Sequence, residues 1–153
     1  MSIADSGTLH HTCFVVHDVD QASAAMEQTL GIGPWNVFTV EPHGCTVRGE
    51  EAPFTFRVAI AAVGDSHFEL LAPVSGSSLY VEHLALKGEG FHHTCIAYSS
   101  AEAMQAAKAE LVAQGRELVQ RGLVGENGEF CYFEIAELGS ILELLYLDPP
   151  PAD

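Results

Sequence analysis

The chain has 153 residues, of which 48% are hydrophobic and 18% are charged. This composition excludes a disordered segment and is typical of one compact domain over residues 1–153, or of two half-size modules that share a core. The net charge of −15 disfavours nucleic acid and anionic membranes as partners. No apolar run approaches the roughly 20 residues that span a bilayer, and no secretory signal is recognisable. The four cysteines include no CxxC pair, so we expect a reduced, cytoplasmic setting.

The first half of the chain is predicted to fold in the order β-α-β-β-β. Its strands alternate in polarity or are rich in β-branched and aromatic residues, and they span 9–16, 35–40, 54–63 and 66–71. The helix covers 21–30, with Asp18 or Asp20 as its cap and Gly31 as a left-handed stop. Segment 42–53 is polar and contains glycine, which predicts a loop.

The second half is predicted to repeat this order of elements. Its strands span 91–98, 117–121, 129–136 and 140–147. Its helix begins at a capping box in which Ser99 is the cap and Glu102 reaches back to it, and it ends near Gly115. The run DPPP at 148–151 ends regular structure. We therefore predict module one over 8–74, a linker with a short helix over 75–88, and module two over 89–148.

Two strand motifs occur twice in the chain. LHHTC at 9–13 returns as FHHTC at 91–95, and FELL at 68–71 returns as LELL at 142–145. A repeat on this scale indicates a duplicated architecture. Two histidines and two glutamates together form a plausible nitrogen and oxygen ligand set for a divalent transition metal.

Strand alternation predicts that the four candidates face away from the helices. His11 and His93 lie on the face opposite the more apolar one, and a glutamate in an apolar strand is costly to bury unless it is paired or binds a metal. His10 and His92 have the opposite parity, so we expect them to support the site rather than to bind the metal.

With these motifs the chain resembles the vicinal oxygen chelate superfamily, which includes glyoxalase I, bleomycin-resistance proteins and extradiol dioxygenases. The resemblance covers 9–147 and is strongest to the methylmalonyl-CoA epimerase branch, through GEGFHH at 88–93 and VGD at 63–65 followed by FELLAP at 68–73. It implies an α+β fold in which two tandem βαβββ modules form a U-shaped mixed sheet around a metal-binding cleft. It also implies a homodimer.

The resemblance implies one divalent metal ion (Co, Zn, Ni, Mn or Fe) with His11, Glu69, His93 and Glu143 as its ligands. We then expect an isomerase or epimerase, or a lyase, that moves a proton next to a carbonyl through a metal-stabilised enolate. The base is expected to be Glu143, or Glu69 if it leaves the metal.

Two alternatives remain open at this point. An Fe(II)-dependent ring-cleaving dioxygenase of this fold uses two histidines and one carboxylate, so a fourth ligand counts against it. A non-enzymatic small-molecule-binding or resistance protein uses the cleft without a metal, and the intact ligand set counts against it.

The substrate is expected to be a small carbonyl compound. An acyl-CoA suits the epimerase likeness, but the chain has only six Lys and Arg residues to meet its phosphates. An aromatic or polycyclic substrate is the alternative, because aromatic residues could line a pocket for it, although most are expected to be core. These residues are Trp35, Phe54, Phe56, Phe130, Tyr132 and Phe133. The resemblance points to a further carboxylate before the third strand, across a short gap in the match. The candidate pocket residues are Trp35, Glu50, Glu51, His67, Cys13, Cys95 and Tyr132.

Overall fold

The computed structural model describes residues 2–148; most of the run predicted to end regular structure, 148–151, lies outside them. Within these residues, three α-helices and a short 3₁₀ helix (Ala136–Leu138) accompany ten strands. The helices are α1 (Val19–Leu30), α2 (Leu79–Lys87) and α3 (Ala101–Ala113). The strands are β1 (Gly7–Val15), β2 (Asn36–Val40), β3 (His43–Val47), β4 (Glu50–Glu51), β5 (Thr55–Val63), β6 (Ser66–Ser75), β7 (Gly90–Tyr98), β8 (Leu118–Val124), β9 (Gly128–Ile135) and β10 (Ser140–Tyr146).

All ten strands form one mixed sheet in the order β2-β5-β6-β1-β7-β10-β9-β8-β3-β4. The two halves meet at its centre, where β1 and β7 are antiparallel. Each central strand pairs in parallel with the last strand of its own half, β6 or β10. From the centre outward, the first half continues as β1-β6-β5-β2 and the second half as β7-β10-β9-β8. In both halves the first strand is thus followed by the last of its module and then by two earlier strands in reverse chain order. The sheet curls into a half-barrel, which confirms the predicted α+β fold with a U-shaped mixed sheet.

The prediction of a loop over 42–53 is wrong, because this segment contains β3 and β4. Strand β3 leaves its own half and pairs with β8, where Val47 lies opposite Gln120. Cys45 is buried and Val47 is half-buried, and both contact the interior of the sheet. The hydrogen bonds of β3 go to a strand far along the chain, so the segment's own composition did not predict them.

Most helix ends follow the sequence prediction. The Asp18 carboxylate caps α1 by accepting a hydrogen bond from the Gln21 amide at 3.0 Å, and Gly31 ends the helix with a φ of 68°. At α3 the cap is Ser100 and not Ser99, since the Ser100 hydroxyl accepts the Ala103 amide at 3.1 Å. This shift by one residue moves the start of α3, whose buried face carries Met104, Ala107 and Leu111.

Apolar residues cover both faces of the sheet. On the outer face, α1 packs over Val16 and Leu70 and α3 packs over Phe133 and Leu144. Against the inner face lies a cluster of aromatic residues from the strands, from α2 and from the segment before β5, among them Phe54, Phe56, Tyr80, Phe130 and Tyr132. Much of the inside of the half-barrel is therefore packed core. Within the described residues, none of the helices has the length and apolar character needed to cross a membrane.

Candidate metal centre

The four candidate ligands come together on the inner face of the four central strands. The register places Cys13 of β1 opposite Glu69 of β6, and Cys95 of β7 opposite Glu143 of β10. His11 and His93 stand on the two central strands between these carboxylates. Strand alternation keeps all four side chains away from α1 and α3, as predicted.

The nitrogen and oxygen atoms of the four residues converge. Glu143 Oε2 lies 3.0 Å from His11 Nε2 and 2.9 Å from His93 Nε2, and the two Nε2 atoms are 3.4 Å apart. Glu69 is less close: its Oε2 is 3.6 Å from His11 Nε2, and its Oε1 is 4.0 Å from His93 Nε2. The side chains are only 0–12% exposed.

These separations fit the ligand shell of a divalent cation. Ligand atoms about 2.1 Å from an octahedral metal are about 3 Å apart when adjacent and about 4.2 Å apart when opposite. The five separations, from 2.9 to 4.0 Å, fall within that range. Two imidazoles and two carboxylates are also a donor set that divalent transition metals accept.

The electrostatics of the site favour a positive charge among the four side chains. Burial alone would lower the pKa of His11, but the Glu69 and Glu143 carboxylates raise it to about 9. Burial would raise the pKa of Glu143, yet His93 and His11 hold it well below its usual range. A buried carboxylate and a half-buried one need a compensating cation, which a proton or a metal ion can supply.

His10 and His92 do not follow simple strand alternation. The pairing of β1 with β7 slips by one residue at His10 and again at His92, so each of these residues forms a β-bulge. The bulges bring His10 Nδ1 to 2.8 Å from His11 Nδ1, and His92 Nδ1 to 2.7 Å from His93 Nδ1. The prediction that they face the opposite side is therefore wrong, while their expected contact with the site is present.

Both additional histidines are held in the uncharged form by their surroundings. Burial lowers the pKa of His10 to about 4, and the neighbouring His11 and His67 act in the same direction. Burial lowers the pKa of His92 to about 2, with a further contribution from His93.

Several predicted pocket residues also lie at the centre. The Tyr132 ring packs against His93 with 4.8 Å between ring centroids. His67 stacks on His10, with 4.6 Å between the centroids. Cys13 and Cys95 are fully buried beside the ligands, and burial raises the pKa of both thiols well above the ordinary value.

The structure does not bring the other predicted pocket residues to the centre. Trp35 packs beneath α1 on the outer face, where its indole N–H donates to the Ile32 carbonyl at 2.8 Å. Glu50 and Glu51 are exposed on β4, at the outer edge of the sheet. The inner face of β3 carries Cys45 instead of a carboxylate.

Sequence reasoning missed two features next to the centre. One is Tyr80 of α2, whose hydroxyl lies 2.6 Å from that of Tyr132. The other is a groove of about 740 Å³ along α2, with His92 and Ile141 among its lining residues. No local signal marks either feature, because both depend on how α2 packs into the half-barrel. Of the groove's cations, Arg48 pairs with Glu82 at 2.6 Å and Arg116 pairs with Glu137 at 2.7 and 2.9 Å.

Residues 10–133 match the family model described as the Glyoxalase/Bleomycin resistance protein/Dioxygenase superfamily. The chain belongs to that superfamily. No curated protein matched it in a separate comparison.

Solved structures with the same fold include methylmalonyl-CoA epimerases. The enzyme from Mycobacterium tuberculosis is 22% identical, with a TM-score of 0.66 over 97% of this chain and 92% of that one. The Streptomyces coelicolor epimerase in complex with 2-nitronate-propionyl-CoA is 20% identical, with a TM-score of 0.63 over 90% and 95%. A hypothetical protein from Bacillus halodurans C-125 is 18% identical, with a TM-score of 0.66 over 97% and 100%. The expected likeness to the epimerase branch is confirmed at the level of the fold.

Proposed function

We propose that this protein is a divalent-metal-dependent isomerase or epimerase, or a lyase of the same chemistry, that moves a proton on the carbon next to a carbonyl group. The observation that carries the proposal is the convergence of His11, Glu69, His93 and Glu143 on the inner face of the sheet. One divalent ion (Co, Zn, Ni, Mn or Fe) is the proposed cofactor.

The four residues have different proposed tasks. His11, His93 and Glu143 would hold the cation most closely, since their donor atoms are the nearest to one another. When bound, the cation supplies Lewis-acid stabilisation of the negative charge that develops on the carbonyl oxygen. Glu69 is a weaker fourth ligand. Its greater distance and exposure support it as the group that removes the proton, although the sequence alone favoured Glu143.

The geometry also bears on the competing classes. A ring-cleaving dioxygenase needs two histidines and one carboxylate with an open face for oxygen. The presence of both Glu69 and Glu143 within 4.0 Å of His93 Nε2 favours proton transfer instead. A binding protein without a metal gives no account of why one buried and one half-buried carboxylate lie beside two imidazoles.

The proposed substrate is a small carbonyl compound with an acidic C–H bond. Structures of related fold are complexes with 2-nitronate-propionyl-CoA and methylmalonyl-CoA, which supports an acyl-CoA as one candidate. The groove along α2 is a proposed route to the centre, because it includes His92, the neighbour of His93. Two of its cations already pair with carboxylates, so an acyl compound with a smaller anionic group is the other candidate.

Metal-dependent hydrogen exchange tests the proposed reaction. We expect candidate 2-substituted acyl-CoA or α-hydroxycarbonyl compounds to take up deuterium from D₂O at the acidic carbon when the protein carries its metal. Protein treated with a chelator is the control and should give none. Oxygen consumption with catechol-like compounds and Fe(II), without any exchange, would reject proton transfer in favour of the dioxygenase.

We also propose a symmetric homodimer in a reducing, cytoplasmic setting. The sheet ends in two edge strands, β2 and β4, and association is one way to cover such edges. All four cysteines are unpaired and buried, which suits a compartment that keeps thiols reduced. Light scattering at micromolar concentration should give twice the mass of the chain, and a monomer would contradict the proposal.

A further inference from the structure

We propose that His10 and His92 are positioning residues, each of which accepts a hydrogen bond from the Nδ1–H of the candidate ligand beside it. They thereby keep the Nε2 lone pairs of His11 and His93 free for the cation. This inference rests on the proposed function, because it assigns a task toward the same metal.

The hydrogen bonds determine which nitrogen carries the proton. The Nδ1 atoms of His10 and His11 are 2.8 Å apart, so one must donate and the other accept. If His11 binds a cation through Nε2, its ring proton must be on Nδ1, and His10 must be the acceptor. The same argument applies to His92 and His93, whose Nδ1 atoms are 2.7 Å apart.

The arrangement occurs in both halves of the molecule through the same local device. His10 and His92 each occupy a β-bulge between the central strands, and a bulge re-aims a side chain that alternation would place elsewhere. The two histidines of each pair therefore act together, because the first orients the imidazole ring of the second.

An imidazole acceptor suits the charge of this site. Histidine ligands usually donate their second N–H to a carboxylate, a carbonyl or a water molecule. The centre already contains the half-buried carboxylate of Glu69 and the buried carboxylate of Glu143. A further carboxylate behind each histidine would add like charge in a poorly solvated place, whereas a neutral imidazole orients the ligand without adding charge.

The two positioning residues differ in their access to water. His92 is 4% exposed and packs between His83 and Tyr80. His10 is half-buried and stacks on His67. Water can replace a lost acceptor more easily at His10, so we expect the larger effect at His92.

Cobalt binding to the full chain tests this inference. In the Co(II)-loaded wild-type protein we expect two exchangeable ring N–H resonances with paramagnetic shifts, one from each ligand histidine. The variant His92→Leu should weaken Co(II) affinity, measured by chelator competition, by roughly 10- to 100-fold. It should also move one of these resonances or broaden it by rapid exchange.

Matched variants separate positioning from packing. His92→Asn places an amide oxygen near the former Nδ1 position and should restore most of the affinity, together with the resonance. His10→Leu should give a smaller loss of the same kind. His43→Leu removes an exposed histidine of β3 and should bind Co(II) as the wild type does.

The outcomes distinguish this inference from the proposed function. A wild-type protein that does not bind Co(II) would overturn the metal centre itself. A wild-type protein that binds Co(II), with affinity and both resonances unchanged in His10→Leu and His92→Leu, would overturn only the positioning role. Should His92→Leu fail to fold, His10→Leu at the more exposed position decides the question by the same two measurements.

Discussion

The two halves of the candidate centre share one strand arrangement but hold their carboxylates differently. Glu143 on β10 lies 3.0 and 2.9 Å from the two histidine nitrogens, while Glu69 on β6 lies 3.6 and 4.0 Å from them. The Glu143 side chain is 7% exposed and that of Glu69 is 12% exposed. The repeat places four similar donor groups together, and from this difference in distance we propose that Glu143 mainly holds the metal and Glu69 removes the proton.

The largest expected effect comes from removing His11 or His93, the two histidines that Glu143 contacts. In His11→Ala or His93→Ala, we expect metal and hydrogen exchange to be lost together, down to the level of the metal-free protein, because each Nε2 is about 3 Å from Glu143. Metal analysis and the deuterium assay on the same sample measure this. A variant with unchanged metal content and an unchanged hydrogen exchange rate would show that the substituted histidine is not a ligand of the metal.

The second prediction tests the division between the two carboxylates. We expect Glu69→Gln to keep most of the metal but to lose roughly 10²- to 10⁴-fold in exchange rate, because an amide cannot accept the proton. Glu143→Gln should instead show the greater loss of metal affinity, since Glu143 contacts both histidines. If Glu69→Gln exchanges normally while Glu143→Gln binds metal and is inactive, the two roles are reversed.

The repeated motifs made the centre predictable in outline. His11 and His93, each followed two residues later by a cysteine, showed the duplication, and alternation placed them on one face with Glu69 and Glu143. The turns and caps at Asp18 and Gly31 are local signals and were read correctly. These features depend on neighbours within a few residues, which a sequence displays directly.

Other features depend on contacts between distant parts of the chain. The bulges at His10 and His92 are visible only in the register between β1 and β7. Strand β3 exists because β8 offers it an edge, and Tyr80 reaches the centre because α2 packs into the half-barrel. The outward position of Trp35 likewise follows from its packing beneath α1. Composition and periodicity do not describe these relations.

The third prediction concerns the buried tyrosine pair that packs next to His93. The hydroxyls of Tyr80 and Tyr132 are 2.6 Å apart in the core, and the Tyr132 ring packs against His93. Tyr80→Phe should lower the free energy of unfolding by about 1–3 kcal/mol, because it leaves the partner hydroxyl unsatisfied. Urea denaturation measures this. The double variant with Tyr132→Phe should cost less than the sum of the single changes, and simple additivity would show that the hydroxyls do not interact.

The smallest expected effects come from ion pairs that link a helix to the sheet, α3 in the second half and α1 in the first half. In the second half, Glu129 accepts hydrogen bonds from Lys108 at 2.6 Å and Arg121 at 2.9 Å and is 5% exposed. In the first half, the Arg57–Asp20 pair has side chains that are 43% and 58% exposed. Glu129→Gln should lower the free energy of unfolding by about 1 kcal/mol, and Arg57→Met should change it by less.

The effect of Glu129→Gln should also depend on pH. Burial would raise the pKa of Glu129, but Arg121 and Lys108 together lower it below its usual value. Its contribution to stability is therefore fully present above the unfolded pKa of about 4.3 and is lost as the pH falls through the folded value. The difference between wild type and variant should shrink below about pH 4. A difference that stays constant down to pH 2 would show that charge is not its cause.

The most direct test of the account is the metal content and ligation of protein purified without chelator. We predict about one divalent ion per chain and an X-ray absorption spectrum with six-coordinate nitrogen and oxygen ligation, including two imidazoles. Tetrahedral sulfur ligation would contradict the assignment. So would a structure solved with saturating metal in which the side chains of His11, Glu69, His93 and Glu143 are dispersed.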